Sequence, residues 1–136
     1  MSQHETMRAM SLTAHGGPEA LVYRTDMPVP LPGRSEVLIK VGAAGVNNTD
    51  INTRIGWYSK GEGDVEDASW GGQALSFPRI QGADICGEVV GVGEGADSRL
   101  IGTRVLVEPC LREANGETLP SPWYIRSEEH TSELQS

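Results

Sequence analysis

Asn47, Thr49, Asp50, Arg54 and Tyr58 fall close together and gather an amide, a hydroxyl, a carboxylate, a guanidinium and a phenol. None is a strong nucleophile at its ordinary ionisation; what they do well is donate, accept and pair. Asn47 is a residue type that caps helices. Asp50 and Arg54 stand one helical turn apart and can pair. Tyr58, after Gly56 and Trp57, fits a rim aromatic packed on the acidic stretch that follows. Elsewhere the candidates have plainer readings. Asp84 heads a strand and reads as a structural hydrogen-bond acceptor before a general base. Cys86, between Ile85 and Gly87, has no histidine or cation beside it in sequence to activate a thiol, so it reads as a small core residue. Cys110 is left open, and His15 beside Gly16 reads as a turn residue. Gly91, Gly93 and Ala96 imitate a dinucleotide-binding turn. That fingerprint needs a helix to follow, and Asp97 to Gly102 is too short for one, so the glycines are assigned to a hairpin turn with positive φ.

The elements that must position these residues are short strands. Met7 to Ala14 reads as the first, closed by His15, Gly16, Gly17 and Pro18; Ala20 to Thr25 alternates and forms the second. Pro28, Pro30, Pro32 and Gly33 then force an extended connection. Glu36 to Val46 places Val37, Ile39 and Val41 on one face of a half-buried strand. Asn47 to Arg54, with Ile51 and Ile55 four apart, is a short helix ended by Gly56. Lys60 to Ser76 turns glycine-rich and acidic and is a loop. Gly82 to Val92 and Thr103 to Glu108 are further strands. The sum is a mostly-β fold, barrel or sandwich, with one short helix.

The chain has 136 residues and a formal net charge of −8, the size of one domain. Residues 1–6 read as a disordered start and residues 7–125 as the domain. Residues 126–136 match the translation of a sequencing-library adapter and stand outside the fold reasoning. That tail sets Arg126 against Glu128, Glu129 and Glu133, so the acidic balance survives its removal. An acidic chain without clustered Lys and Arg is a poor nucleic-acid binder. No apolar run nears the ~20 residues of a bilayer span, which excludes a membrane partner and makes a cytoplasmic protein the expectation. Two distant cysteines give neither a zinc knuckle nor a disulfide framework.

In order and spacing these segments resemble the GroES-like catalytic domain that opens the medium-chain dehydrogenases and reductases. The likeness is carried by Pro30 to Gly33 leading to Glu36–Val41, by Ala44 to Asp50, by Arg54 to Tyr58, by Phe77, Pro78, Ile80 and Gly82 to Asp84, and by the later glycines through Gly102 to Val105. It implies a partly open β-barrel, here cut off before a Rossmann domain. The zinc-dependent branch of that family has a Cys where this chain has Asn47, and a His-Glu pair where it has Ala83 and Asp84. An amide and a methyl do not replace thiolate and imidazole, so the expectation is no zinc. The four-cysteine structural zinc lobe is missing as well.

What remains resembles the zinc-free quinone oxidoreductase branch. That likeness implies hydride transfer from NADPH to a quinone, enone or other carbonyl substrate. Asn47 and Tyr58 would hydrogen-bond near the nicotinamide or the substrate, and Thr49 is a weaker candidate, standing where the zinc enzymes use a hydroxyl relay. The cofactor would be held mainly by the downstream domain, so its binding residues are not assigned here and the fragment alone is expected to be inactive. A homodimer is left open for the intact protein. The alternatives are a relative of the zinc-type alcohol dehydrogenases and a stand-alone GroES-like binding module.

Overall fold

A computed structural model of the chain describes residues 5–57, 75–114 and 117–124. They form the strands β1 (Thr6–Leu12), β2 (Leu21–Pro28), β3 (Val37–Gly45), β4 (Asp84–Val92), β5 (Arg104–Leu106), β6 (Cys110–Ala114) and β7 (Glu117–Tyr124), with the helix α1 (Asn48–Arg54) between β3 and β4. The mostly-β expectation holds. The chain divides into two compact units, Met1–Val29 with Val46–Gln81, and Pro30–Gly45 with Gly82–Ser136.

The first unit is built on the antiparallel pair β1 and β2, in register from Thr6 opposite Pro28 to Leu12 opposite Leu21, with a bulge between Met7 and Ala9. β1 ends at Leu12, two residues before the sequence expectation. There its ladder passes to another partner: Leu12 N–H donates to the Arg79 carbonyl at 2.7 Å, and Arg79 N–H returns a bond to Leu12 at 2.9 Å. This exchange fixes the segment from Leu75 to Gln81 beside β1. Leu12, Ala20 and Leu75 are buried there, with Ser11 and Arg79. The chain turns between β1 and β2 through a 3-10 helix, Pro18–Ala20, whose proline stands at the start where a missing N–H costs nothing.

In the second unit β3, β4 and β5 form an antiparallel sheet in that order. Val37, Ile85 and Val89 are its apolar core. The expected alternation along β3 is not found: Val37 is buried, and Leu38 and Ile39, expected on opposite faces, are both half-buried. From Lys40 onward the strand is exposed on both faces, and Val41 is exposed rather than facing a core. The register skips Gly42, opposing Val41 to Gly87 and Ala43 to Cys86, and a bulge there re-aims the side chains that follow. Cys86 is half-buried between Ala43 and Leu106, and both cysteines are free thiols.

The stretch from Gly93 enters a 3-10 helix, Ser98–Leu100, and returns to β5, so no dinucleotide-binding helix follows these glycines. The positive φ angles expected at Gly91 and Gly93 are found at Gly95 and Gly102 instead. Gly93 serves a different need. Its N–H donates to the Glu36 carbonyl at 2.8 Å, and a Cβ there would run into the backbone carbonyl of Gly33. β6 and β7 form a hairpin that the sequence reading did not contain. Its register breaks between Leu111 and Glu113, where β7 carries Pro120 and Pro122, residues with no N–H to give a ladder.

The Gly93 contact predicts that Gly93→Ala lowers unfolding stability by about 1–3 kcal/mol, as overpacking against backbone does. Gly91→Ala, whose added Cβ meets only Leu38 at 3.6 Å, stays close to the parent. Urea-unfolding midpoints check the pair; equal midpoints would mean that the Gly33 and Gly93 turns are not in contact.

Candidate functional site

A seven-residue helix is too short to persist on its own in water, because nucleation costs more than so few hydrogen bonds return. α1 is therefore shaped by what holds its ends. At the first end Asn47 has the extended backbone of an N-cap, φ −118° and ψ 166°. Its N–H donates to Asp50 Oδ2 at 2.8 Å, and its side chain faces the Asp50 amide, completing a capping box. Asp50 in the first turn and Arg54 in the last also match the helix dipole. A second support comes from Gln81, whose Nε2 donates to the Asp50 carbonyl at 3.1 Å.

At the other end Gly56 takes φ +73°, the left-handed conformation that stops helices and that glycine adopts without strain. The turn before β2 supplies the rest. Gly16 N–H donates to the Arg54 carbonyl at 2.9 Å, and Arg54 Nη1 donates back to the Gly16 carbonyl at 2.8 Å. His15 Nδ1 lies 2.9 Å from the Thr53 carbonyl. A carbonyl only accepts, so this nitrogen carries the proton. The imidazole meets Phe77 edge to face, with centroids 5.0 Å apart and planes at 77°. Inside the helix Thr53 Oγ1 donates to the Thr49 carbonyl at 2.7 Å.

Asn47 and Thr49 thus stand together on the first turn of α1, both exposed. Val46, Ile51, Ile55 and Trp57 are exposed apolar neighbours along the same segment. A few fixed polar groups beside apolar side chains are the make-up of a small-molecule site. Tyr58, the third candidate, lies outside the described residues, as do most of the acidic loop and residues 125–136. The expected pairing of Asp50 with Arg54 is not what forms. Asp50 turns back to the cap and Arg54 reaches out to Gly16, because each finds a fixed backbone partner that costs less side-chain entropy than a flexible ion pair on the helix surface. His15, Phe77 and Gln81 were not expected near α1. Asp84 is exposed at the start of β4. Among the described residues, no three His, Cys, Asp or Glu side chains are grouped to hold a metal ion. A hollow on the second unit's sheet, lined by Lys40, Val41, Cys86 and Arg104 among others, includes neither Asn47 nor Thr49.

Residues 33–123 match the alcohol dehydrogenase GroES-like domain. A human quinone oxidoreductase is 32% identical over 125 residues, which is 92% of this chain and 32% of that protein. The crystal structure of a putative alcohol dehydrogenase from Sinorhizobium meliloti 1021 superposes with a TM-score of 0.74 at 46% identity, covering 91% of this chain and 35% of that one. A mycobacterial protein complexed with NADPH matches at 32% identity and a TM-score of 0.56, over 76% of this chain and 28% of its own. The chain spans about a third of the length of the first two.

The capping box makes a direct prediction. Asp50→Ala removes the acceptor for the Asn47 N–H and should lower stability by about 1 kcal/mol, the usual worth of a helix cap. Asp50→Asn keeps an oxygen in place and should lose less. Chemical denaturation of the three proteins tests this; an unchanged Asp50→Ala variant would show that the helix end is held without the carboxylate.

Proposed function

The chain belongs to the alcohol dehydrogenase GroES-like domain family of the medium-chain dehydrogenases and reductases, and from that membership we propose that it is the substrate-side domain of an NADPH-dependent, zinc-independent reductase of quinones or enones. The single observation that carries the reading is the placement of Asn47: an exposed amide on a helix cap anchored at both ends, at the position where the zinc-dependent relatives carry a cysteine ligand.

Donor chemistry supports the zinc-free reading. The positions that would supply thiolate, imidazole and carboxylate hold Asn47, Ala83 and Asp84, and neither an amide nor a methyl is a ligand of the kind zinc selects. NADPH, when bound, supplies the hydride, and the chain's own residues do the rest. As hydride reaches the substrate carbon, negative charge gathers on the carbonyl or quinone oxygen. With its oxygen directed to the Asp50 amide, Asn47 suits that charge through the N–H donors of its amide group. Tyr58 would add a phenolic O–H to the same oxygen, and Thr49, two residues after Asn47 on α1, a hydroxyl able to relay a proton. The apolar side chains along α1 suit the hydrocarbon face of a quinone or enone.

In the enzyme that carries this chain and a nucleotide-binding domain, Asn47→Ala should lower quinone-dependent NADPH oxidation by about 10²-fold, the scale of losing an oxyanion donor. Tyr58→Phe should lower turnover more than it weakens NADPH binding. Steady-state kinetics and cofactor titration measure both, and turnover unchanged in each variant would remove these residues from the chemistry. One tightly bound zinc per chain, found by metal analysis, would favour instead a drifted alcohol dehydrogenase.

A further inference from the structure

We infer that His15 is a positioning residue, which sets the orientation of α1 from its C-terminal end and so fixes where Asn47 stands at the other. The inference rests on the reading of Asn47 as a substrate-contacting group. Its observations lie at the turn before β2. The reciprocal bonds between Gly16 and Arg54, at 2.9 and 2.8 Å, join turn and helix at one point. Two bonds between the same pair of residues fix one point, and the Gln81 bond to the Asp50 carbonyl fixes a second, which leaves rotation about the line between them. The bond from His15 Nδ1 to the Thr53 carbonyl at 2.9 Å lies one residue along each segment and opposes that rotation.

The ring has two close neighbours. Phe77 meets it edge to face. Gly56 lies near it as well, where a Cβ would be 3.3 Å from His15 Cγ. Phe77 belongs to the segment that β1 fixes through Arg79, and the same segment ends in Gln81, which bonds the Asp50 carbonyl. His15 therefore joins both supports of the helix. From Thr53 to Asn47 is ~9 Å along the axis at 1.5 Å per residue. A short stiff rod passes a tilt at one end to the other, and a misplacement of about 1 Å at a reacting group can cost about 10²-fold in rate.

The test uses His15→Leu, which fills similar space without a donor, and His15→Asn, whose side-chain N–H can stand near the place of Nδ1–H. In the 136-residue chain, His15→Leu should speed hydrogen exchange of the Gly16 amide and the Gln81 side-chain amide, which bond α1 from outside it, about threefold to tenfold, the scale of one net hydrogen bond, and His15→Asn should return most of the protection. In the full enzyme His15→Leu should lower kcat about tenfold with the KM for NADPH unchanged, and His15→Asn should recover it. Unchanged exchange of the Gly16 and Gln81 side-chain amides in His15→Leu overturns the positioning role. Loss in both variants alike overturns the hydrogen bond as its cause. Faster exchange in His15→Leu, with Asn47→Ala leaving turnover intact, supports the positioning of the helix and overturns the reading of Asn47 on which its use rests.

Discussion

The candidate site depends on hydrogen bonds at the two ends of one short helix. α1 has no buried residue of its own, so the usual source of helical stability, an apolar stripe packed on a core, is not what fixes it. Its place is set by polar contacts: the capping box and Gln81 at the first end, Gly16, Arg54 and His15 at the second. Directional bonds suit this task better than burial does. A hydrophobic contact tolerates sliding, whereas a hydrogen bond weakens steeply as its angle bends, so several at different points define an orientation.

This explains how β1 comes to matter for a residue far from it in sequence. The two-way exchange between Leu12 and Arg79 fixes the Leu75 to Gln81 segment, and that segment carries both Phe77 and Gln81. The fully buried Leu12 is thus where the unit's core meets the polar scaffold of the helix. In this arrangement the strands are scaffold, and backbone and side-chain polar groups remain reachable at an element end.

Much of this was legible in the sequence because it is local. The helix from Asn47, its Asp50 in the first turn and its stop at Gly56 follow from capping and glycine chemistry within ten residues. The strands β1 to β5 follow from short strand-forming runs bounded by turn residues, and the rejection of a dinucleotide turn at Gly91 and Gly93 follows from the missing helix. Three things were not legible, each for a physical reason. The β6–β7 hairpin contains Pro120 and Pro122, which argue against a strand, although Asn115–Gly116 between the two segments is a recognised hairpin signal. Val41 is exposed although it shares a strand face with Val37 by simple alternation; the pairing of β3 with β4 shifts register between Leu38 and Ile39 and again between Val41 and Ala43, and periodicity cannot see such breaks. The contacts of His15 and Arg54 span 38 residues, and no local rule distinguishes a histidine in a turn from one that reaches across to a helix. Two glycines directly after the histidine, with a helix-stopping glycine later, were the only hint.

Gly56 gives the fold a historical constraint as well as a mechanical one. Its φ of +73° disfavours a side chain, and an added Cβ would stand 3.3 Å from His15 Cγ, a tight fit that asks the ring to give a little. The two positions are therefore linked across 41 residues of sequence. A lineage that replaced His15 with a smaller residue would relieve the crowding at Gly56 while the backbone still demanded glycine. A lineage that lost the glycine would have to strain or change the turn conformation and shift the ring slightly. Both positions resist drift, for different reasons: the glycine through its backbone conformation, the histidine through the bond by which it holds α1.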